Sequence, residues 1–125
     1  MYLIDTNIII YHFNKSIPDV SRPKLIKIFK ESFNISVITK MEFLGFKNHT
    51  EKSFKKAKQL IEYADVIELD EEIIDTVIDL KRNKTIKLPD AIIAATAICN
   101  NWVLVTRNEK DFNNIDITIY NPFSS

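Results

Sequence analysis

The most informative segment of the sequence reads Leu88-Pro89-Asp90-Ala91-Ile92-Ile93-Ala94-Ala95-Thr96-Ala97-Ile98-Cys99. Pro89 fits the first turn of a helix, and the segment is apolar on nearly all sides, which predicts a helix over 88–100 that is buried on more than one side. Asp90 is its only charge. A first-turn carboxylate suits the helix dipole, but its neighbours one turn on are Ile93 and Ala94. Asp90 is therefore either a stabilising helix-start acid or a functional one.

Short apolar segments alternate with helical patterns along the whole chain. Strands are expected over 1–4, 34–37, 66–69, 102–106 and, weakly, 115–120. Helices are expected over 8–13, from Pro23, over 39–46, from Thr50, from Asp70 and over 88–100. This alternation predicts one α/β domain over 1–125 with a mostly parallel sheet of about five strands. Ligands of such sheets bind beyond the carboxyl ends of the strands.

Composition excludes several function classes. The 17 basic and 17 acidic residues balance, which argues against bulk attraction to nucleic acid but leaves local patches open. The only glycine is Gly45, so glycine-rich dinucleotide and phosphate loops are excluded. The chain shows no apolar run long enough for a membrane span and no signal-peptide pattern, and a lone Cys99 suits a reducing compartment. A cytoplasmic location without membrane contact is the expectation.

Three further acids have structural explanations when each is considered alone. Asp5 ends the first strand, where an Asx turn or a helix N-cap is the commoner role. Glu42 completes the segment 39–42, Thr-Lys-Met-Glu, which fits a capping box. Asp111 follows the fourth strand as an ordinary loop acid. Together with Asp90, however, these acids all follow strands or begin helices, where a parallel sheet would gather them.

Clustered carboxylates repel one another and become protonated unless a cation lies between them. Hard oxygen ligands without a His or Cys cluster select Mg²⁺ or Mn²⁺ over Zn²⁺. If the four acids form one internal cluster, the rest of the chain carries 17 basic and 13 acidic residues, a balance of +4. Neutrality of the whole chain then does not count against a polyanionic substrate.

Four segments in order carry a family resemblance: 3–7 (LIDTN), 38–42 (ITKME), 88–97 (LPDAIIAATA) and 104–112 (LVTRNEKDF). They resemble the motifs of PIN-domain proteins, specifically the VapC-type toxins of toxin–antitoxin pairs, across essentially the whole chain. The resemblance implies a three-layer α/β/α fold with a five-stranded parallel sheet. It further implies an endoribonuclease that depends on Mg²⁺ or Mn²⁺ and hydrolyses RNA phosphodiester bonds with a metal-activated water. A homodimer and inhibition by a small cognate antitoxin are implied as well.

The same resemblance assigns roles to individual residues. Asp5 and Asp90 would be the principal metal ligands and catalytic acids, Glu42 would complete the acidic cluster, and Asp111 would be the fourth acid. Hydrogen bonds that support these ligands would come from Thr6, Asn7, Thr106 and Asn108. Asn108 stands where many relatives have an acid, which leaves open whether Asp111 or Asn108 completes the site, and whether one or two ions bind.

Basic residues supply candidate RNA contacts. Lys81, Arg82, Lys84 and Lys87 precede Asp90 and would either track the RNA backbone or form a solvated surface; of these, Arg82, Lys84 and Lys87 are the candidate contacts. Arg107, inside the fourth motif, is a candidate contact for RNA or for a carboxylate. The lysines at 52, 55, 56 and 58 are better explained as a solvated helix face. The aromatic residues Phe43, Phe46, Phe54 and Trp102 are expected to be core or dimer contacts.

Other function classes remain open from the residues. A phosphate-signalling receiver domain would need adjacent acids after the first strand, where only Asp5 stands. A phosphatase of the haloacid dehalogenase type would need Asp where Asn7 stands. A non-cleaving PIN-like module that binds RNA or protein is the third alternative, because Asn108 departs from the family pattern.

Overall fold

The computed structural model describes residues 1–124. Five strands are present: β1 Tyr2–Ile4, β2 Asn34–Ser36, β3 Asp65–Ile67, β4 Val103–Val105 and β5 Ile119–Tyr120. The α-helices are α1 Thr6–Phe13, α2 Arg22–Ser32, α3 Val37–Leu44, α4 Glu51–Ile61, α5 Glu71–Asn83 and α6 Leu88–Asn100. A short 3₁₀ helix covers Glu109–Phe112. Every strand and helix expected from the sequence is confirmed, with boundaries shifted by up to four residues.

The five strands form one parallel sheet in the order β3-β2-β1-β4-β5. In the register of the central strands, Leu3 lies opposite Asn34 on one side and Leu104 on the other. The chain builds outward from β1 through β2 to β3, and then returns to the other side of β1 with β4. The direction of winding therefore reverses between β1 and β4, which is where open α/β sheets bind their ligands.

Helices cover both faces of the sheet because successive side chains of a strand point to opposite faces. On β1, Leu3 packs in the core with α5 and α6, whereas Ile4 packs in the core with α1, α2 and α4. The small residues Ala91, Ala94 and Ala95 of α6 are all fully buried, so this helix lies close against the sheet. The three-layer α/β/α architecture is confirmed, and α6 is buried on several sides as its sequence predicts.

Helix α3 begins earlier than expected, and the predicted capping box is wrong. The helix starts at Val37, and its N-cap is Ser36, whose hydroxyl accepts from the backbone N–H of Ile38. The chain enters α3 directly from β2, so Thr39 is a fully buried residue inside the helix. Since α3 contacts both α1 and α6, it lies at the carboxyl edge of the sheet between the two helical layers. Glu42 is carried to that edge.

Two of the aromatic residues expected in the core or at a dimer contact remain partly exposed. Phe43 is 2% exposed, but Phe46 and Phe54 are 50% and 40% exposed. Both rings lie edge-on to His49, whose ring nitrogens are hydrogen-bonded to Ser53 Oγ and the Phe43 carbonyl oxygen at 2.9 Å each. His49 is thus a packing residue. No helix within residues 1–124 is long and apolar enough to cross a bilayer.

Replacing Ser36 by Ala removes the N-cap of α3. The free energy of unfolding should fall by about 1 kcal/mol, because the partly buried backbone N–H of Ile38 loses its acceptor. Urea denaturation measures the change. Ser16→Ala, at an exposed serine after α1 whose hydroxyl donates to the Asn14 carbonyl oxygen, is the matched control and should change stability by less than about 0.5 kcal/mol. Equal effects at both positions would contradict the assignment of the cap.

Candidate active site

Asp5 is a buried acid at the point where β1 ends and α1 begins. It is 5% exposed, caps α1, and accepts a hydrogen bond from the backbone N–H of Thr6 at 2.7 Å through Oδ1. Its backbone N–H donates to the carbonyl oxygen of Val105 at 2.9 Å, which continues the β1–β4 pairing. The expected N-cap role is confirmed, and the same geometry holds the second carboxylate oxygen toward β4.

Two neighbouring side chains orient that second oxygen. Thr106 Oγ1 donates to Asp5 Oδ2 at 2.7 Å, and Asn7 Nδ2 donates to the same oxygen at 3.0 Å. Thr106 directly follows β4 and is fully buried, so its hydroxyl joins the two strands on either side of the topological reversal. The backbone N–H of Asn108 donates to Thr106 Oγ1 at 3.1 Å. Asn108 therefore supports the acid through its backbone.

Glu42 meets the first helix through Thr6. The Thr6 hydroxyl donates to Glu42 Oε1 at 2.7 Å and lies 3.0 Å from the hydroxyl of Thr39. Thr39 is one turn before Glu42 on α3, so the pair of threonines sets the distance between α1 and α3 at this edge. The Glu42 side chain itself is exposed. Its role as an acid at the site remains a prediction, but its position beside α1 places it within electrostatic reach of Asp5.

Asp90 and Asp111 come from the opposite helical layer. Asp90 is half-buried in the first turn of α6, and Asp111 is exposed in the 3₁₀ helix after β4. Burial raises the pKa of Asp90, and the negative charges of Asp111 and Glu42 raise it further, while the nearby Lys87 lowers it. Asp90 and Glu42 are thus close enough to act on Asp5, and Asp111 is close enough to act on Asp90, although the four acids come from four different segments of the chain.

The pKa of Asp5 is raised from 3.8 to about 6, chiefly because burial disfavours the charged form. The hydrogen bonds from Thr106 and Thr6 oppose this effect, and the charges of Asp90 and Glu42 add to it. A shift of this size corresponds to about 3 kcal/mol of difference between the two protonation states. Desolvation therefore outweighs the two hydrogen bonds, and a positive charge at this point would favour ionisation.

The residues gathered here fit a hard divalent cation in their chemistry. All four acids offer carboxylate oxygens, and the ones with raised pKa values are those that a cation would relieve. In the positions described for residues 1–124, no three Asp, Glu, His or Cys side chains converge closely enough to hold an ion together. Asp5 and Glu42 are each held by hydrogen bonds from neighbouring side chains, whereas Asp111 is exposed in the 3₁₀ helix.

A basic cleft adjoins the acids on the α5–α6 side. It is an open depression of about 580 Å³ whose lining includes Lys84, Lys87 and Lys110 together with Asp90 and Asp111. Lys81 donates from Nζ to the carbonyl oxygen of Ile86 at 2.6 Å and so ties the α5–α6 loop that forms one wall.

The structure separates the predicted RNA contacts into two groups. Lys84 and Lys87 line the basic cleft, whereas Arg82 is exposed in the last turn of α5 and is not among the lining residues. Arg107 lies on the other side of the acids, where its backbone N–H donates to Asn7 Oδ1 at 3.3 Å. Lys110 was missed by the sequence interpretation, although its place next to Asp111 in the fourth motif is a usable signal.

Comparison with known proteins identifies the family of this site. Residues 2–117 match the family described as PIN domain. The chain is 33% identical over 117 residues to Ribonuclease VapC1 of Methanocaldococcus jannaschii, a match that covers 88% of this chain and 77% of that protein. The receiver and phosphatase alternatives gain no support from these matches.

Solved structures with the same fold come from toxin–antitoxin complexes. A toxin–antitoxin complex from Klebsiella pneumoniae contains a chain that is 29% identical with a TM-score of 0.81, each chain being covered completely. VapBC-1 from nontypeable Haemophilus influenzae contains one that is 28% identical with a TM-score of 0.81, at 98% coverage of both chains. VapBC2 from Rickettsia felis, bound to a promoter DNA fragment, gives 26% identity and a TM-score of 0.80, covering 96% of this chain and 97% of that one.

The pKa of Asp5 makes the stability of the protein depend on pH. The folded state binds the Asp5 proton more tightly than the unfolded chain does, so its contribution to stability is complete below pH 3.8 and is lost as pH rises through about 6. Relative to Asp5→Asn, which does not titrate, the parent should lose about 3 kcal/mol between pH 3.5 and pH 7. Urea unfolding in EDTA over this range measures the difference.

Asp75→Asn, an exposed acid on α5, is the control and should track the parent at every pH. If the curves of the parent and Asp5→Asn remain parallel throughout, Asp5 titrates normally and the account of its burial is wrong.

Proposed function

The chain belongs to the PIN domain family and is a VapC-type ribonuclease of a toxin–antitoxin system, and from that premise we propose that it is an endoribonuclease with a carboxylate-held divalent cation. The observation that carries this proposal is the buried Asp5 carboxylate, coupled to Asp90 and Glu42 at the winding reversal of a parallel sheet. A buried acid with a raised pKa is costly to ionise, and such groups cluster at functional sites.

Asp5 and Asp90 are the proposed principal ligands, with Glu42 and Asp111 completing the acidic set. A bound Mg²⁺ or Mn²⁺ would supply positive charge that activates water and offsets the charge of the phosphoryl group. The protein contributes orientation: Thr106 and Asn7 fix Asp5 Oδ2, and Thr6 fixes Glu42. Hydrogen bonds of this kind to metal ligands commonly change metal affinity or activity by about 10- to 100-fold when lost.

The RNA backbone is proposed to enter over the basic cleft. Lys84, Lys87 and Lys110 place three positive charges beside Asp90 and Asp111, and none of them forms an ion pair within residues 1–124. Unpaired lysines next to a cluster of acids suit phosphate contacts, which supply most of the sequence-independent affinity for nucleic acid. Arg82 is proposed as a more distant contact of the RNA backbone, because it is exposed in the last turn of α5, which leads into the α5–α6 loop.

A small antitoxin is the proposed protein partner, because three of the similar solved chains come from complexes described as toxin–antitoxin or VapBC.

The chain is also proposed to form a homodimer. Ile74 and Ile78 lie one turn apart on α5 and are 37% and 52% exposed, so this layer offers apolar surface to a second copy. A cytoplasmic location is part of the same proposal, since the RNA substrate and a single free cysteine fit that compartment.

Purified protein should cleave RNA in Mg²⁺ or Mn²⁺ and lose cleavage in EDTA. Asp5→Asn and Asp90→Asn should each lower the rate by more than about a hundredfold, because each removes a proposed ligand. Gel analysis of labelled RNA gives the rate, and thermal melting shows that the variants are folded.

Asp75→Asn again serves as the matched control and should cut RNA at the parental rate. If both site variants cleave as fast as the parent, the catalytic assignment is wrong. A parent that binds RNA and Mn²⁺ without cutting would support the alternative of a non-cleaving RNA-binding module.

Co-expression with the gene of the proposed antitoxin should relieve growth inhibition and yield a stable complex with its product. Growth inhibition by the parent chain alone, absent with Asp5→Asn, would connect the toxicity to RNA cleavage. Light scattering of the purified chain should give twice the mass of 14.6 kDa if the homodimer forms. A strictly monomeric chain would contradict the proposed dimer, and toxicity that persists with Asp5→Asn would contradict the ribonuclease origin of the effect.

A further inference from the structure

Arg107 is held over two neighbouring aromatic rings. Its guanidinium carbon lies 4.4 Å from the centre of the Phe123 ring and 5.1 Å from that of Tyr11, and the two ring centres are 4.9 Å apart. Nη1 also donates to the Tyr11 hydroxyl at 2.9 Å. A guanidinium held by stacking and a hydrogen bond loses rotamer freedom, so its other N–H donors keep a set direction.

The end of the chain holds the Phe123 ring in place. Asn121 donates from Nδ2 to the Arg107 carbonyl oxygen at 3.3 Å and to Glu109 Oε2 at 2.9 Å, and its Oδ1 accepts from the backbone N–H of Phe123 at 2.9 Å. Ser21, which precedes α2 and makes no cap hydrogen bond there, donates instead to the Pro122 carbonyl oxygen. Residues 121–123 are thereby tied to both β4 and α2.

Arg107 is near the acids without being neutralised by them. The Arg107 backbone N–H donates to Asn7, whose amide in turn donates to Asp5. Within residues 1–124 the one ion pair joins Arg22 to Asp19, so no carboxylate lies within 4.0 Å of the Arg107 guanidinium. An exposed cation that is oriented by rings and left unpaired beside acidic residues is available to an anion.

The Arg107 stack and the basic cleft lie on opposite sides of the sheet. Tyr11 and Phe123 pack against the core shared by α1, α2 and α4, whereas the cleft is built on the α5–α6 loop. Asp5 follows the central strand between these two layers. Two separate positively charged surfaces thus flank the acids, one from each helical layer.

We propose that Tyr11, Arg107 and Phe123 form a second RNA subsite, and that the RNA is single-stranded and crosses the carboxyl edge of the sheet from this subsite to the basic cleft. Arg107 contacts an RNA phosphate through its N–H donors and offers its guanidinium plane to an unpaired base, while Tyr11 and Phe123 hold its side chain and are positioning residues. Guanidinium planes are stacking surfaces for unpaired bases, which a duplex keeps stacked inside itself. The subsite rests on the proposed function, since it needs RNA at the carboxylates.

Binding of a labelled single-stranded RNA oligonucleotide tests the subsite. Fluorescence anisotropy in EDTA, with Asp90→Asn as the non-cleaving background, separates binding from cleavage. Adding Arg107→Gln should weaken binding about fivefold and lower the slope of log Kd against log salt by about 0.7, the value for one lost phosphate contact on a single strand, between about 50 and 200 mM salt.

Further substitutions test the stack and supply the control. Phe123→Leu should weaken binding by a smaller factor, and Phe123→Tyr should restore it, because the ring rather than the volume orients Arg107. Lys56→Gln, which removes one exposed charge on α4, should change neither affinity nor slope. Thermal melting checks that Phe123→Leu is folded. If it is not, Arg107→Lys replaces it as the test: this variant keeps the positive charge without the guanidinium plane and should bind with an affinity between those of the parent and Arg107→Gln.

The outcomes separate the subsite from the function. If Arg107→Gln behaves like Lys56→Gln while the parent cleaves RNA, the subsite is wrong and the ribonuclease assignment stands. If the parent neither binds nor cleaves RNA, the proposed function fails and the subsite fails with it. A duplex of the same sequence that binds as tightly as the single strand would overturn the assignment of single-stranded RNA.

Discussion

The hydrogen bond from the Thr106 hydroxyl to the Asp5 carboxylate joins the two halves of this protein at its centre. The residues are 101 positions apart, yet they follow the adjacent strands β1 and β4, between which the winding of the sheet reverses. The bond satisfies a buried oxygen that would otherwise be costly, and it fixes the direction of the acid. The charges of Glu42 on α3 and Asp90 on α6 act on this carboxylate, and that of Asp111, after β4, acts on Asp90.

Burial makes that carboxylate useful as well as costly. Desolvation raises the pKa of Asp5 to about 6 in spite of two hydrogen bonds, and the neighbouring negative charges raise it further. A site built only from carboxylates cannot remain ionised without positive charge, whether this comes from a cation or a substrate contact. The lysines of the basic cleft and the stacked Arg107 flank the acids without forming ion pairs to them, so positive and negative surfaces lie side by side.

In helix α3, a capping-box sequence is present but does not cap the helix. Residues 39–42 match a capping box, but β2 runs directly into the helix, and Ser36 occupies the cap instead. Because the N-cap is Ser36 and not Thr39, both Thr39 and Glu42 lie inside α3. They are one turn apart, and both contact the Thr6 hydroxyl of α1. Glu42 could be predicted as a site acid only from its motif order, because its contact lies 36 residues away in sequence. Likewise, the sequence shows the basic residues before Asp90 as one group. Only the fold of the α5–α6 loop places Lys84 and Lys87 in the basic cleft and leaves Arg82 outside it.

Local sequence by itself determined the order of strands and helices, the buried character of α6 and the place of Asp5 at the end of β1, because apolar periodicity and helix-start residues act over a few positions. Four ordered motifs were enough to indicate the family that the comparisons confirm. Only the tertiary structure decided which acids raise the pKa of one another, that Thr106 orients Asp5, and that the Phe123 ring packs against the Arg107 guanidinium. Those relations depend on strand order and on side-chain packing between segments distant in the chain. No local pattern encodes such distances, because they arise when the sheet brings its carboxyl ends to one edge.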